Sequence, residues 1–414
     1  MSPRKISAVL LCIILLAGLA GCGKRPVIEP ADGWYAVWSA SPEAAELSEI
    51  PRNPVLSGNT CRQQIKTSLG GDKIRLTFSN EYGSGDLKIE SVHIAHLTAA
   101  GSPAIDASTD TPVTFSGSSA VTVKAGGSVT SDEIAFSFNA ADMLAVTVKF
   151  GDVPNVPSCH RNASCTTWVV EGDRVSDETF ASMELMSSNY FLSRADTYAL
   201  AGTETLVCFG DSVTDGTGST YNGFNSYPEA LAGILGSDPD FGNISVISAS
   251  VSELGLFSEG AASAEYRLER EILGLEGVHS VLLMIGADDI KTAQYDISSE
   301  MADVYKRITK ACQSRGISVY AGTIPPFEGN TLYYSELHEK IRRSVNEFIM
   351  SEESGFDGVV DFAEILCRAE NESKLQPDYD SGDSLHPNSA GYEAMAKAAA
   401  EMLREKAAAA EEEK

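Results

Sequence analysis

The stretch Thr205–Gly216, TLVCFGDSVTDG, decides how this chain folds. Leu206–Phe209 is a short apolar run of the kind that forms a strand buried on both faces. The glycine, aspartate, serine and threonine cluster behind it ends the strand in a loop. The pattern recurs downstream: Ile244–Ile247, Val281–Ile285, Ile317–Ala321 and Val359–Phe362 read as further strands. Helical periodicity lies between them, at Tyr227–Leu235, Glu265–Leu273, Met301–Cys312 and Leu337–Ile349, with a last helix over Ser389–Leu403. Strands alternating with helices at this spacing predict an α/β domain over residues 203–405, built on a doubly wound parallel sheet. Sites in such sheets lie beyond the carboxyl ends of the strands, which is where Ser212 falls. Residues 406–414 are a low-complexity tail.

Upstream the pattern is different. Residues 34–170 read as short strands separated by Gly, Ser, Asn and Asp clusters, among them Lys73–Phe78, Leu87–Ala95 and Leu144–Phe150. No amphipathic helix interrupts them, and the series predicts an all-β sandwich of jelly-roll type. Residues 171–202 read as a connector. The N-terminus has Arg4 and Lys5 before an apolar stretch, Ile6–Ala20, that suits a signal-peptide core better than a membrane span. It ends in Leu19-Ala20-Gly21-Cys22, which resembles a bacterial lipobox. That resemblance implies a signal peptide over 1–21, lipid on Cys22, a tether over 22–33 and an extracytoplasmic, membrane-attached protein.

The chain has 414 residues, 58 acidic against 31 basic, for a net charge of −27. Such a surface repels nucleic acid and anionic lipid, so the expected partners include no nucleic acid, and the membrane only through the anchor. Beyond Cys22 there are six cysteines, Cys61, Cys159, Cys165, Cys208, Cys312 and Cys367, too few for a disulfide framework in so long a chain. Cys159 and Cys165 are close enough in sequence for a small bridge, with free thiols the alternative.

Two segments carry chemistry. Gly210-Asp211-Ser212 ends the first strand, and Asp383-Ser384-Leu385-His386-Pro387 lies between the last strand and the last helix. A serine nucleophile needs a base within hydrogen-bond reach, and the base needs an orienting carboxylate. Loops from the first and last strands can meet over the sheet, so His386 can serve Ser212, and Asp383 can hold the histidine. Phe209–Gly216 and Asp383–His386 resemble the first and last blocks of the GDSL/SGNH hydrolases. Trp38–Pro42, Arg62-Gln63, Leu69–Asp72, Arg75 and Ser79-Asn80 resemble landmarks of the group in which a sandwich precedes the hydrolase. Arg267–Leu273, Thr323, Pro326-Phe327 and Gly382–Tyr392 resemble its later ones. The resemblance implies a flavodoxin-like SGNH hydrolase domain behind a jelly-roll-like sandwich. It implies a serine esterase or acylhydrolase acting through an acyl-enzyme on a small-molecule or glycan ester, without metal or organic cofactor. Ser212, His386 and Asp383 are its expected catalytic residues.

Two positions depart from the family pattern. Its second block usually has a glycine whose N–H faces the oxyanion; here Glu253 stands there, with Gly255 as the alternative. Its third block usually reads Gly-x-Asn-Asp, and here reads Gly286-Ala-Asp-Asp289, so Asp288 replaces an amide donor with a carboxylate. These departures support a second reading, a degenerate hydrolase used as a glycan- or protein-binding lipoprotein. His93 and His96 are a poor metal pair, because their odd spacing on a strand points them to opposite faces. His160 is expected to pack a loop, Asp289 to cap one, and Trp34, Tyr35 and Trp38 to be buried rather than to form a sugar platform. No G-x-S-x-G elbow is present.

Overall fold

The structure, a computed structural model, describes residues 25–28 and 31–412. The expected signal peptide and Cys22 lie outside the described residues. The C-terminal part is a five-stranded parallel sheet: β1 (Glu204–Gly210), β2 (Ile244–Ser250), β3 (Val278–Met284), β4 (Ser318–Gly322) and β5 (Gly358–Val360), in the order β2-β1-β3-β4-β5. This is the doubly wound, flavodoxin-like order. Its principal helices are α1 (Tyr227–Gly236), α2 (Ser298–Ser314), α3 (Glu336–Met350) and α4 (Ser389–Glu412).

The period-two alternation of a strand sorts the core into two layers. Val207, Phe209, Val281 and Leu283 pack with Met301, Val304 and Ile308 of α2 and Val345 of α3. Leu206, Cys208, Leu282 and Met284 face the other way, onto Leu231 and Leu235 of α1 and Tyr392 and Met395 of α4. β1 is an interior strand buried on both sides over Leu206–Phe209, so that stretch is apolar without interruption. Two expected elements differ in form. Glu265–Leu273 is one turn of α-helix, Ala264–Arg267, running into a π-turn, Leu268–Ile272. The helix beginning at Ser389 runs on through the low-complexity tail to Glu412.

The N-terminal region is a sandwich of two antiparallel sheets. One holds Gly33–Ser39, Leu192–Ala199, Gly71–Ser79, Ser128–Thr130 and Ile134–Phe138. The other is built around Thr60–Lys66, Met143–Phe150 and Leu87–His96, with Thr167–Val170 alongside. Their inner faces share one core, in which Ile74, Leu76 and Phe78 meet Ile65, Leu144 and Val146. The segment 171–202, read as a connector, supplies the strand Leu192–Ala199, which lies between Gly33–Ser39 and Gly71–Ser79. Charged residues inside it obscure the strand pattern. Asp196 is buried and takes Arg194 Nε at 2.6 Å and Arg75 Nε at 2.8 Å.

The sandwich lies along β2 and the π-turn. Ser39 Oγ donates to the Ser248 carbonyl at 2.6 Å, Ser68 and Ser245 hydroxyls are 2.8 Å apart, and Arg267 Nη2 donates to the Pro42 carbonyl at 3.1 Å. Ala36 of the sandwich packs into the core between the parallel sheet and α2 and α3. Trp34 is edge-on to Tyr198 and lies under the Arg75 guanidinium, and Tyr35 is buried, so these aromatics are packed.

At Gly210 the end of β1 leaves no room for a side chain. A Cβ there would lie 1.9 Å from Thr214 Oγ1 and 2.6 Å from the Met284 carbonyl oxygen. Gly210→Ala is therefore expected to lower the unfolding free energy by about 2–3 kcal/mol through overpacking, read as a reduced urea midpoint at unchanged m-value. An unchanged midpoint would show that the backbone there yields freely.

Candidate active site

Ser212 sits two residues past β1, in the turn that Gly210 permits, and is 6% exposed. Gly210 is in register with Ser250 of β2 and Met284 of β3, so the loops after three adjacent strands emerge at one level. They bring up Ser212, Glu253 and Asp288. The loop before α4 crosses toward them from the far end of the chain.

That loop is shaped by carboxylates. Asp380 Oδ1 accepts from the N–H groups of Gly382 and Ser384, at 2.8 and 3.0 Å, and Ser384 takes a left-handed backbone with φ 57°. The turn brings the N–H groups of Leu385 and His386 onto Asp383 Oδ1, each at 2.8 Å. Asp383 Oδ2 then lies 2.6 Å from His386 Nδ1, and His386 Nε2 lies 3.0 Å from Ser212 Oγ. A carboxylate accepts only, so Nδ1 carries the proton and Nε2 is left free to take one. Burial pushes the Asp383 carboxyl up, but the backbone N–H and ring of His386 outweigh it and hold it below its ordinary value. The structure thus brings together Ser212, His386 and Asp383 as a continuous hydrogen-bonded relay.

The side of Ser212 where the resemblance implies the oxyanion donors is less regular. Neither the Ser212 N–H nor the Glu253 N–H has a hydrogen-bond partner among the described residues, while the Gly255 N–H is taken up by the Ala262 carbonyl at 3.0 Å. Of the two alternatives in that loop, Glu253 is the one with a free donor. Its side chain is 72% exposed and faces Arg161 of the sandwich, 3.9 Å away. Asp288 follows Gly286, whose φ of 130° turns the chain out of β3. Asp289 accepts from the N–H groups of Leu256 and Phe257 at 2.8 and 3.0 Å, and so ties the loop after β2 to the loop after β3.

Sequence reasoning missed several contributors. Asp211 is 2% exposed, and its carboxyl is pushed up to about 7, first by burial and then by the charge of Asp288. Lys291, one helical turn beyond Asp288, lies 2.5 Å from Asp288 Oδ1; the i, i+3 spacing in Asp288-Asp-Ile-Lys291 was the available signal. Asn330 donates to the Asp383 carbonyl at 3.0 Å and positions Leu332 and Tyr333, both exposed, beside the site. From the sandwich, Asn162 reaches Thr217 Oγ1 at 3.3 Å, and the Thr217 N–H donates to the Ser212 carbonyl at 3.0 Å.

His160 is the strongest of these links. It is buried, with Nδ1 3.1 Å from the Ser41 carbonyl and Nε2 3.2 Å from Asp215 Oδ1. Both nitrogens face acceptors, so both carry protons. Burial disfavours the charge, but the carboxylates of Asp215 and Glu43 and the Ser41 carbonyl outweigh it, and the ring is raised from 6.5 to about 9. Asp215 also takes the hydroxyls of Ser250 and Ser252, each at 2.9 Å. The loop behind Ser212 is thereby fastened to the sandwich and to β2. The remaining histidines of the sandwich point apart: His93 pairs with Asp110 at 2.9 Å, and His96 stacks on Phe136. All six cysteines among the described residues are unbridged; Cys159 and Cys165 are buried thiols raised above their ordinary value by that burial.

Residues 208–394 match the model of the GDSL-like lipase/acylhydrolase family, and the chain carries a domain of that family. Among solved structures, a member of the lipolytic G-D-S-L family from Veillonella parvula is 21% identical, with 49% of this chain and 99% of that chain covered at a TM-score of 0.39. An acetyl-xylooligosaccharide esterase from Geobacillus is 22% identical over 48% of this chain and 94% of that one, with a TM-score of 0.37. A family two carbohydrate esterase from Cellvibrio japonicus is 10% identical and covers 91% of this chain and 98% of its own, with a TM-score of 0.37. No curated protein matches the chain.

The charged His160 gives the seam a pH dependence. Its folded value of about 9 lies above its ordinary 6.5, so its contribution to stability is fully present below about pH 6.5 and is lost as pH rises through about 9. His160→Gln is expected to be less stable than the wild type at pH 6 and to lose that difference by pH 9.5, in urea unfolding at about those two values. Equal losses at both pH values would show that the imidazolium is not what holds the seam.

Proposed function

We propose that this chain is an extracytoplasmic serine esterase, attached to the membrane through lipid on Cys22, that hydrolyses acyl or acetyl esters of small molecules or carbohydrates. The observation that carries the reading is the relay of 3.0 Å from Ser212 Oγ to His386 Nε2 and 2.6 Å from His386 Nδ1 to Asp383 Oδ2. Ser212 Oγ adds to the ester carbonyl while Nε2 takes its proton. Asp383 holds the ring and stabilises the imidazolium. The N–H groups of Ser212 and Glu253 face the developing oxyanion. Collapse of the tetrahedral intermediate breaks the ester C–O bond, and the imidazolium returns its proton to the leaving alcohol. Water, deprotonated by the same nitrogen, then releases the acid and restores Ser212.

A second reading is favoured by one observation, the carboxylate of Asp288 where the resemblance implies an amide. An ionised carboxylate opposes an oxyanion, and a site so impaired would suit a binding protein.

The test is to treat soluble protein beginning at Gly23 with a fluorophosphonate and, separately, with short aryl esters. Covalent labelling and turnover are expected for the wild type. Ser212→Ala should lose labelling and about 10⁶ in kcat, and Asp383→Ala about 10⁴. A folded wild type that neither labels nor hydrolyses between about pH 5 and 9 returns the chain to the binding reading.

A further inference from the structure

Asp288 is not alone. Its Oδ1 lies 2.5 Å from Lys291 Nζ, and the two side chains are only 19% and 11% exposed. Lys291 Nζ is also 4.9 Å from the centre of the Tyr333 ring, which lies on the loop that Asn330 fastens to Asp383. The other oxygen, Oδ2, is buried without a hydrogen-bond partner among the described residues. Four further titratable groups act on Asp288: Asp211 beneath the nucleophile, Asp289 beside it, Glu253 from the loop after β2 and His386 from across the site. Three of these are acids. The lysine is the cation that touches the carboxylate.

We infer that Lys291 is a positioning residue of the ester reaction: it cancels the charge of Asp288, so that a net-neutral carboxylate–ammonium pair stands beside the oxyanion where the resemblance implies a neutral amide. The inference deepens the esterase reading and rests on it. Burial raises the Asp288 carboxyl while the Lys291 ammonium lowers it, and the net direction is upward. Asp211, deeper and with no salt-bridge partner among the described residues, is pushed up to about 7 by burial and by the charge of Asp288, so it takes up a proton more readily than an ordinary aspartate. The Lys291 ammonium in contact favours the charged form of Asp288, whereas Asp211 has no such partner in contact. Remove the ammonium and the next charge on the oxyanion side is a bare, half-buried carboxylate. Proximity of like charge then opposes the transition state more than the bound ester, whose carbonyl is neutral.

The experiment compares kcat and KM for a short aryl ester in the wild type, Lys291→Met and the double variant Asp288→Asn/Lys291→Met, with fluorophosphonate labelling of each. Lys291→Met is expected to lose about 10²-fold in kcat at pH 8 with little change in KM. That deficit should shrink as pH falls toward about 6, because the unpaired Asp288 takes up a proton and ceases to oppose the oxyanion. The double variant should recover most of the loss, since an amide needs no counter-charge. A structural role for Lys291 would show neither the pH-dependent deficit nor the rescue. Unchanged kcat in Lys291→Met, or a double variant as slow as the single one, overturns the assignment. Should Lys291→Met not fold, the neutral double variant decides: kcat within about 5-fold of wild type supports the inference, and a loss beyond about 10² overturns it. A wild type that neither labels nor turns over is a failure of the esterase reading and is recognised before any variant is compared.

Discussion

Everything at the site depends on the register of β1 between its two neighbours. Gly210 is opposite Ser250 on one side and Met284 on the other. Parallel strands that end level deliver their following loops to one edge of the sheet, and Ser212, Glu253 and Asp288 come from three such loops. The glycine makes this possible, because the backbone of β3 approaches so closely that any Cβ would collide with the Met284 carbonyl. The same strand is buried on both faces, which fixes it between the two helical layers. A serine held this way is positioned by the sheet instead of by its own loop.

The sandwich takes part in that positioning. Its strand Gly33–Ser39 runs against β2, and Ala36 enters the hydrolase core. His160 and Asn162 reach the loop that begins at Ser212, the first through Asp215 and the second through Thr217. Arg161 lies between them in sequence and faces Glu253. A single sandwich segment, 160–162, therefore touches both the turn that carries Ser212 and the loop that carries Glu253. The N-terminal region is thus a structural part of the edge that carries Ser212.

Much of this was legible in the sequence, and the reasons differ by element. β1 could be read because a strand buried on both faces must be apolar throughout, and Ser212 because Gly210-Asp211 ends it abruptly. His386 and Asp383 could be read because their three-residue spacing suits a turn in which one carboxylate serves both backbone and ring. The strand Leu192–Ala199 could not, because Arg194 and Asp196 interrupt its apolar pattern, and the buried Asp196 carboxylate is met by Arg194 and by Arg75, the second a contact that only the folded sheet creates. His160 was read as a packing residue for a similar reason: its partners, Ser41 and Asp215, are distant in the chain, and neither alone marks the histidine as charged. Local periodicity reports burial well. It does not report which charges burial brings together.

That distinction bears on Asp288. Taken singly, a carboxylate where the resemblance implies an oxyanion donor is an impairment, and taken with Asp211 it is a worse one, since its charge raises that buried acid. A buried ion pair carries a desolvation cost that makes it poor evidence of stability by itself. What such a pair does offer is a fixed, nearly neutral dipole in a place where solvent cannot rearrange, and fixed dipoles are what transition-state charge responds to. The Asp288–Lys291 contact lies on one turn of a short helix directly after β3, so its geometry is set by the same strand register that sets Ser212. An amide would carry its dipole within one side chain, whereas here it is divided between two, and the second is recognisable only when the helix turn is seen.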